Sequence, residues 1–304
     1  LMEEVSRYAL VGAQIARDRS DFDIIHAHDW LAYPAGIAAK EISGKPLVVH
    51  VHATEYDRSG ESVNFPVFEI ERAGMHAADH VVAVSQLTKN ICVRKYGIPP
   101  EKVTVLHNAV LDASIITSSY QKKVPEKIVT FLGRITYQKG PEYFVEAAKK
   151  VIERDPKVRF VMAGSGDLLN KMVDRVAELR MGTKFHFTGF LKGDDVDHMY
   201  AISDVYVMPS VSEPFGIAPL EAVRHNTPVI ISKQSGVAEV LNNAIKIDFW
   251  DVDAMADAIF GLLHYPSIAR MFTELGADEL KKLKWEHVAA KLVTVYDKIL
   301  AQRA

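Results

Sequence analysis

The chain has 304 residues, 48% of them hydrophobic and 25% charged, with a net charge of −3 and one cysteine. That length accommodates two domains with real cores, the composition is that of an ordinary globular protein, and the slight acidity gives no reason to expect nucleic-acid binding. A lone Cys92 excludes a disulfide framework and a Cys-based zinc site, no apolar run reaches the ~20 residues of a membrane span, and without a secretory signal a reducing, cytoplasmic setting is the expectation.

Short apolar runs alternate with amphipathic stretches from end to end, which predicts an α/β protein with parallel sheets. The first half reads as helix 3–18, strand 22–27, helix 32–42, strand 46–52, helix 66–77, strand 80–84, helix 86–95 and strand 102–106. His26, His28 and Asp29 fall at the end of the first strand, His50 and His52 at the end of the second. Residues two apart on a strand share a face, so each histidine pair lies on one side. His-x-His is a metal-ligand spacing, but two successive αβ series argue against the barrel of a metallohydrolase. No metal is expected, and His26 and His50 are read as hydrogen-bonded core residues. Glu55, Tyr56 and Arg58 fall in a polar loop, and Ser85 stands at a strand end where it can cap the next helix.

Residues 108–125 lose periodicity and read as a linker between a first domain, 1–107, and a second, 126–304. The second series runs strand 127–132, helix 140–153, strand 158–163, helix 167–180, strand 184–187, helix 193–201, strand 204–208, helix 214–225, strand 228–232, a short helix near 236–240 and strand 244–247. Helical stretches near 251–263, 266–282 and 286–302 close the chain. Two doubly wound, Rossmann-like domains are predicted, the first shorter by a strand or more. In such sheets ligands bind beyond the carboxyl ends of the strands, where Gly133, Ser165 and Glu213 fall.

Gly133 and Arg134 follow a strand, and Lys139 precedes a helix. Two cations in one loop suit a diphosphate, and a glycine permits close backbone approach. The turn Ala163 to Asp167 (AGSGD) lacks a full dinucleotide fingerprint, so NAD binding is poorly supported. In SVSEPFGIAPLEA, Pro214 is read as the first helical residue. Glu213 then sits at the helix start with Glu221 about two turns on, the two carboxylates ~80° apart around the axis. The amides of Phe215, Gly216 and Ile217 would favour an anion such as a phosphate. Phosphate donors beside carboxylates, which suit sugar hydroxyls, ask for a nucleotide sugar.

GRITYQKG, AGSGD, TGFL, SDVYVMPSVSEPFGIAPLEA and SGVAEV occur in the order and approximate spacing seen in the glycosyltransferase family 4 type of enzymes, which includes glycogen synthases. The chain resembles that family from about Asp21 to its end. The resemblance implies the two-domain GT-B fold, a nucleoside-diphosphate sugar as substrate with no cofactor or metal, and transfer with retention. By motif, Arg134 and Lys139 face the donor diphosphate, with Gly133 beside them. Glu213 stands near the transferred sugar, Glu221 bonds the ribose, and the Phe215-Gly216-Ile217 amides contact phosphate or sugar hydroxyls. HAHDW and VHVHATEYDRSG resemble first-domain segments of glycogen-synthase-like enzymes. They imply His52 near the reacting end of the sugar and Asp29 as a contact to sugar or acceptor, with Glu55, Tyr56 and Arg58 on the acceptor side. Full members begin with a strand and a Gly-rich loop not found here, so an N-terminally truncated first domain, and doubtful activity of these residues alone, are expected. A nucleotide-sugar epimerase and an inactive nucleotide-sugar-binding remnant are the alternatives to glycan or hydroxyl glycosylation.

Overall fold

A computed structural model describes residues 1–110, 116 and 122–302. The greater part of the expected linker 108–125 lies outside the described residues. The chain divides into two compact units, Leu1–Asn108 with Trp285–Ala304, and Ala109–Lys284.

The first unit contains α1 (Met2–Asp18), β1 (Ile25–His28), α2 (Asp29–Ser43), β2 (Leu47–Val51), α3 (Glu55–Ser59), α4 (Phe65–Ala77), β3 (His80–Ala83), α5 (Gln86–Tyr96) and β4 (Val103–Val105). Its four strands are parallel and follow chain order across the sheet. Period-2 alternation gives each face its own core. Val49 and Val81 pack with Tyr33, Met75 and Cys92 on one face, while Val48 and Val82 pack with Leu106 on the other. Burial pushes the Cys92 thiol up to about 12, in keeping with a packing role. Ser85 caps α5 by accepting from the Thr88 amide at 3.0 Å, and Gly97 ends it in the left-handed conformation.

The last helix of the chain, α12 (Trp285–Ala301), belongs to this unit. Val295 and Ile299 cover Val48, Val82 and Leu106. The expected second domain, 126–304, therefore ends earlier than the sequence reading placed it. An amphipathic helix shows which of its faces is apolar but not which sheet will bury that face.

The second unit contains β5 (Lys127–Leu132), α6 (Pro141–Arg154), β6 (Val158–Ala163), α7 (Leu169–Glu178), β7 (Phe185–Gly189), α8 (Asp194–Ile202), β8 (Val205–Met208), α9 (Ala218–Arg224), β9 (Val229–Ser232), β10 (Ile245–Ile247), α10 (Val252–His264) and α11 (Pro266–Leu280). The strands are all parallel, in the order β10-β9-β8-β5-β6-β7. This is the doubly wound order that starts in the middle and grows both ways. Its topological switch point lies between β5 and β8, where the connections leave in opposite directions and open a crevice beyond the carboxyl ends. The main core sits under one face, around Phe131, Phe144, Phe160 and Ile230. A smaller cluster of Ile128, Val161 and Met199 lies on the other. No helix among the described residues is long and apolar enough to cross a membrane.

Candidate active site

The site residues of the second unit gather at that switch point. β5 delivers Gly133 and Arg134, and a 3₁₀ turn (Tyr137–Lys139) delivers Lys139. Gly140 ends the turn at φ +63° and begins α6, and a Cβ there would meet the Pro209 carbonyl oxygen at 2.1 Å. Only glycine lets the β5 loop lie this close to the chain leaving β8. The approach brings Lys139 to Glu213, and Lys139 Nζ is paired with Glu213 Oε2. Ser210 Oγ donates to the same carboxylate oxygen at 3.3 Å. Glu213 is 6% exposed, so its charge is held by a cation and a hydroxyl rather than by water. Arg134 is exposed, and its Nη2 donates to Oε1 of the buried Gln138 at 3.2 Å. The Gln138 carbonyl accepts from the Val211 amide at 2.9 Å, so one residue braces both loops.

Beside these groups lies a pocket of about 230 Å³ lined by Leu132, Gly133, Arg134, Ala163, Gly164, Ser165, Phe190 and Leu191. It joins the GRITYQKG, AGSGD and TGFL segments, which the sequence separates by tens of residues.

The helix expected over 214–225 is shorter. α9 begins at Ala218, with Pro219 in its first turn, and Glu213 lies ahead of it in a loop. Gly216, at φ +94°, cannot continue a helix, and a side chain there would press on Glu213 Cγ at 3.0 Å and Met208 Sδ at 3.1 Å. The loop is instead stitched to residues 234–237. The Glu213 amide donates to the Gln234 carbonyl at 2.9 Å, the Gly236 amide to the Glu213 carbonyl at 2.9 Å, and the Val237 amide to the Phe215 carbonyl at 2.7 Å. The two-turn geometry between Glu213 and Glu221 and the helix-start status of Phe215, Gly216 and Ile217 are thereby corrected. Burial, and then the charges of Glu213 and Glu221, raise the pKa of the Tyr206 hydroxyl. Tyr200, also buried, donates its hydroxyl to Glu221 Oε2 at 3.2 Å. Sequence reasoning missed Gln138, Ser210, Tyr200 and Tyr206. Gln138, Ser210 and Tyr206 lie inside the quoted motifs and were legible there as polar residues, whereas Tyr200 carries no such signal.

In the first unit, Asp29 and His52 meet at the carboxyl ends of β1 and β2. Asp29 Oδ1 accepts from the His52 amide at 2.7 Å and the Ala53 amide at 3.3 Å. These bonds hold Asp29 at φ +59°, a conformation side chains seldom adopt. His52 Nε2 is hydrogen-bonded to His28 Nδ1 at 2.9 Å. The expected polar loop after His52 is α3, one turn closed by a capping box between Thr54 and Asp57. Glu55 and Arg58 turn inward. Arg58 Nη1 donates to Glu71 Oε1 at 3.0 Å and Glu55 Oε2 at 3.3 Å, and Tyr96 donates to Glu71 Oε2. Tyr56 packs edge-on against Phe68 and Tyr96. His26 binds the Tyr296 hydroxyl through Nδ1, but neither ring nitrogen of His50 has a partner, against the expectation of a hydrogen-bonded His50.

Two parallel-sheet α/β units make up the GT-B fold, with basic and acidic side chains gathered at the switch point of the second, and the sequence comparisons show that the chain is a glycosyltransferase. The chain belongs to that class. Residues 113–278 match the family of glycosyl transferases group 1, and residues 6–112 match Glycosyltransferase Family 4. It is 31% identical to an uncharacterized glycosyltransferase of Methanocaldococcus jannaschii, over 90% of this chain and 75% of that one. It is 25% identical to a glycogen synthase of Mycobacterium tuberculosis, over 90% of this chain and 68% of that one. Among solved structures, the Anabaena protein HepE in complex with UDP-glucose shares the fold at a TM-score of 0.81 and 19% identity, over 95% of this chain and 82% of that one.

Proposed function

We propose that this glycosyltransferase moves a sugar from a nucleoside-diphosphate donor to a glycan or other hydroxyl acceptor with retention at the anomeric carbon, glycogen-synthase-like transfer being the nearest reading. The observation that carries this is the convergence of Arg134, Lys139 and Glu213 at the switch point of the six-stranded sheet. Two cations there stabilise the charge that develops on the diphosphate as the anomeric C–O bond breaks, which is typically the largest catalytic contribution in such a site. The acceptor oxygen forms the new bond to the anomeric carbon from the same face, and its proton passes to the departing phosphate oxygen. Glu213 holds hydroxyls of the transferred sugar and Glu221 those of the ribose. The segment Phe215 to Ile217 contacts phosphate or sugar, and the base takes the pocket bordered by Gly133 and Ser165. His52 is a polar contact of the transferred sugar. Asp29, through its bonds to the His52 and Ala53 amides, sets where His52 stands. The reaction calls on no cofactor or metal.

A screen of nucleoside-diphosphate sugars, read by thermal shift and by released nucleotide with and without glycan acceptors, tests this. Binding of one donor class with acceptor-dependent nucleotide release is expected. Conversion of the donor without acceptor would instead mark an epimerase, and binding without turnover a remnant.

A further inference from the structure

Four imidazoles share one face of β1 and β2. The strand register sets His28 opposite His50, and two-residue periodicity places His26 and His52 on the same face. Their rings stack with centroids 4.3 to 5.4 Å apart. His26, His28 and His50 each contribute a nitrogen to a set whose members all lie within 4.8 Å of one another.

The hydrogen bonding of this set is unbalanced. A neutral imidazole carries one N–H donor and one lone-pair acceptor. His50 is 7% exposed, and neither of its nitrogens has a partner. A polar atom left buried in that state is destabilising. His26 uses Nδ1 on the Tyr296 hydroxyl and keeps Nε2 buried without a partner. His28 uses Nδ1 on His52 and keeps Nε2. Rings tied back through one nitrogen with the other to spare are how metal-ligating histidines are held.

We propose that His26, His28 and His50 bind a divalent transition-metal ion of the imidazole-preferring class, such as Zn²⁺, Co²⁺ or Ni²⁺. Three nitrogens with no carboxylate favour these ions over Mg²⁺ and Ca²⁺. Metal–nitrogen bonds of about 2.0–2.1 Å require tetrahedral ligand nitrogens roughly 3.4 Å apart. Ligation therefore draws the three nitrogens together and turns the rings out of their stack until the lone pairs converge. The strands fix the backbone, so the movement falls to the side chains. His28 is solvent-exposed, which leaves a fourth position for water. The ion lies next to His52 through the His28–His52 bond, and the site stands whether or not sugar transfer is the reaction.

The test is a titration of the chelator-treated full chain with Co²⁺ at pH 7, followed by visible absorption and calorimetry. One equivalent should bind with the intense visible bands of tetrahedral Co²⁺. His26→Gln and His50→Gln should each weaken binding at least tenfold, while His186→Gln, on an exposed position of β7, should not. Absence of saturable one-to-one binding in the unaltered protein overturns the site, and this result does not depend on any variant folding. Binding undiminished in the folded His26→Gln or His50→Gln protein overturns it as well.

Discussion

Lys139 and Glu213 neutralise each other at the carboxyl ends of β5 and β8, with side chains 20% and 8% exposed. The cation read as a phosphate contact is thus engaged in the unliganded chain, and a donor diphosphate competes with the carboxylate for it. Lys139→Ala should weaken nucleoside-diphosphate binding by about 1.5–3 kcal/mol, the range of a charge-assisted hydrogen bond. It also strands a buried carboxylate. The double variant Lys139→Ala/Glu213→Gln should therefore melt higher than Lys139→Ala alone. In Glu213→Gln, turnover should fall far more than diphosphate affinity; calorimetry and initial rates separate the two, and equal losses would reduce Glu213 to a prop of the fold.

Arg134 takes its orientation from Gln138, to whose Oε1 its Nη2 donates at 3.2 Å. Arg134→Ala should lower donor affinity by about 1.5–3 kcal/mol. Gln138→Leu, which leaves the cation in place but unsteered, should raise the donor KM by less, with kcat and melting temperature nearly unchanged. A Gln138→Leu enzyme with unaltered KM would show that Arg134 orients without it.

Gly140 is where the two loops touch. Gly140→Ala drives a Cβ against the Pro209 carbonyl oxygen and demands φ +63° of a side-chain residue. A destabilisation of about 1–3 kcal/mol is expected from backbone strain of this kind. Because the clash parts Lys139 from Glu213, donor affinity should fall with it. Denaturant melts and diphosphate titrations of the folded variant check both.

Arg58 is the cation paired with Glu55 and Glu71, which are 5% and 2% exposed. Burial raises the Glu71 pKa, against the lowering effect of Tyr96, the Glu55 amide and Arg58. Arg58→Met removes the counter-charge and should destabilise the first unit by about 3–5 kcal/mol, the usual cost of breaking a buried pair. Arg58→Met/Glu71→Gln should recover part of that in a denaturant melt. A simple solvated loop at 55–58 would show neither effect.

The site was legible wherever its residues lie in one segment. Gly133, Arg134 and Lys139 could be read as a loop because a strand, a turn and a helix start follow one another within GRITYQKG. Pro214 misled, because proline is equally at home in a turn and at a helix start. What ends the competition is Gly216, whose backbone conformation answers to Glu213 and Met208, together with the strand-like pairing of Glu213 with Ser235. The inward turn of Glu55 and Arg58 was likewise hidden, since their partners Glu71 and Tyr96 come from α4 and α5.

Read alone, the sequence determined the two αβ series, the strand ends on which polar residues collect and the family motifs, because periodicity of two or 3.6 and turn chemistry are local properties of a chain. Only the tertiary structure decided the strand order that puts β5 beside β8, the return of α12 to the first sheet, the pairing of Lys139 with Glu213 and the stacking of four histidines. Each of these arises from segments brought together by burial of apolar surface, and that force is non-directional, so no short stretch of residues specifies its outcome.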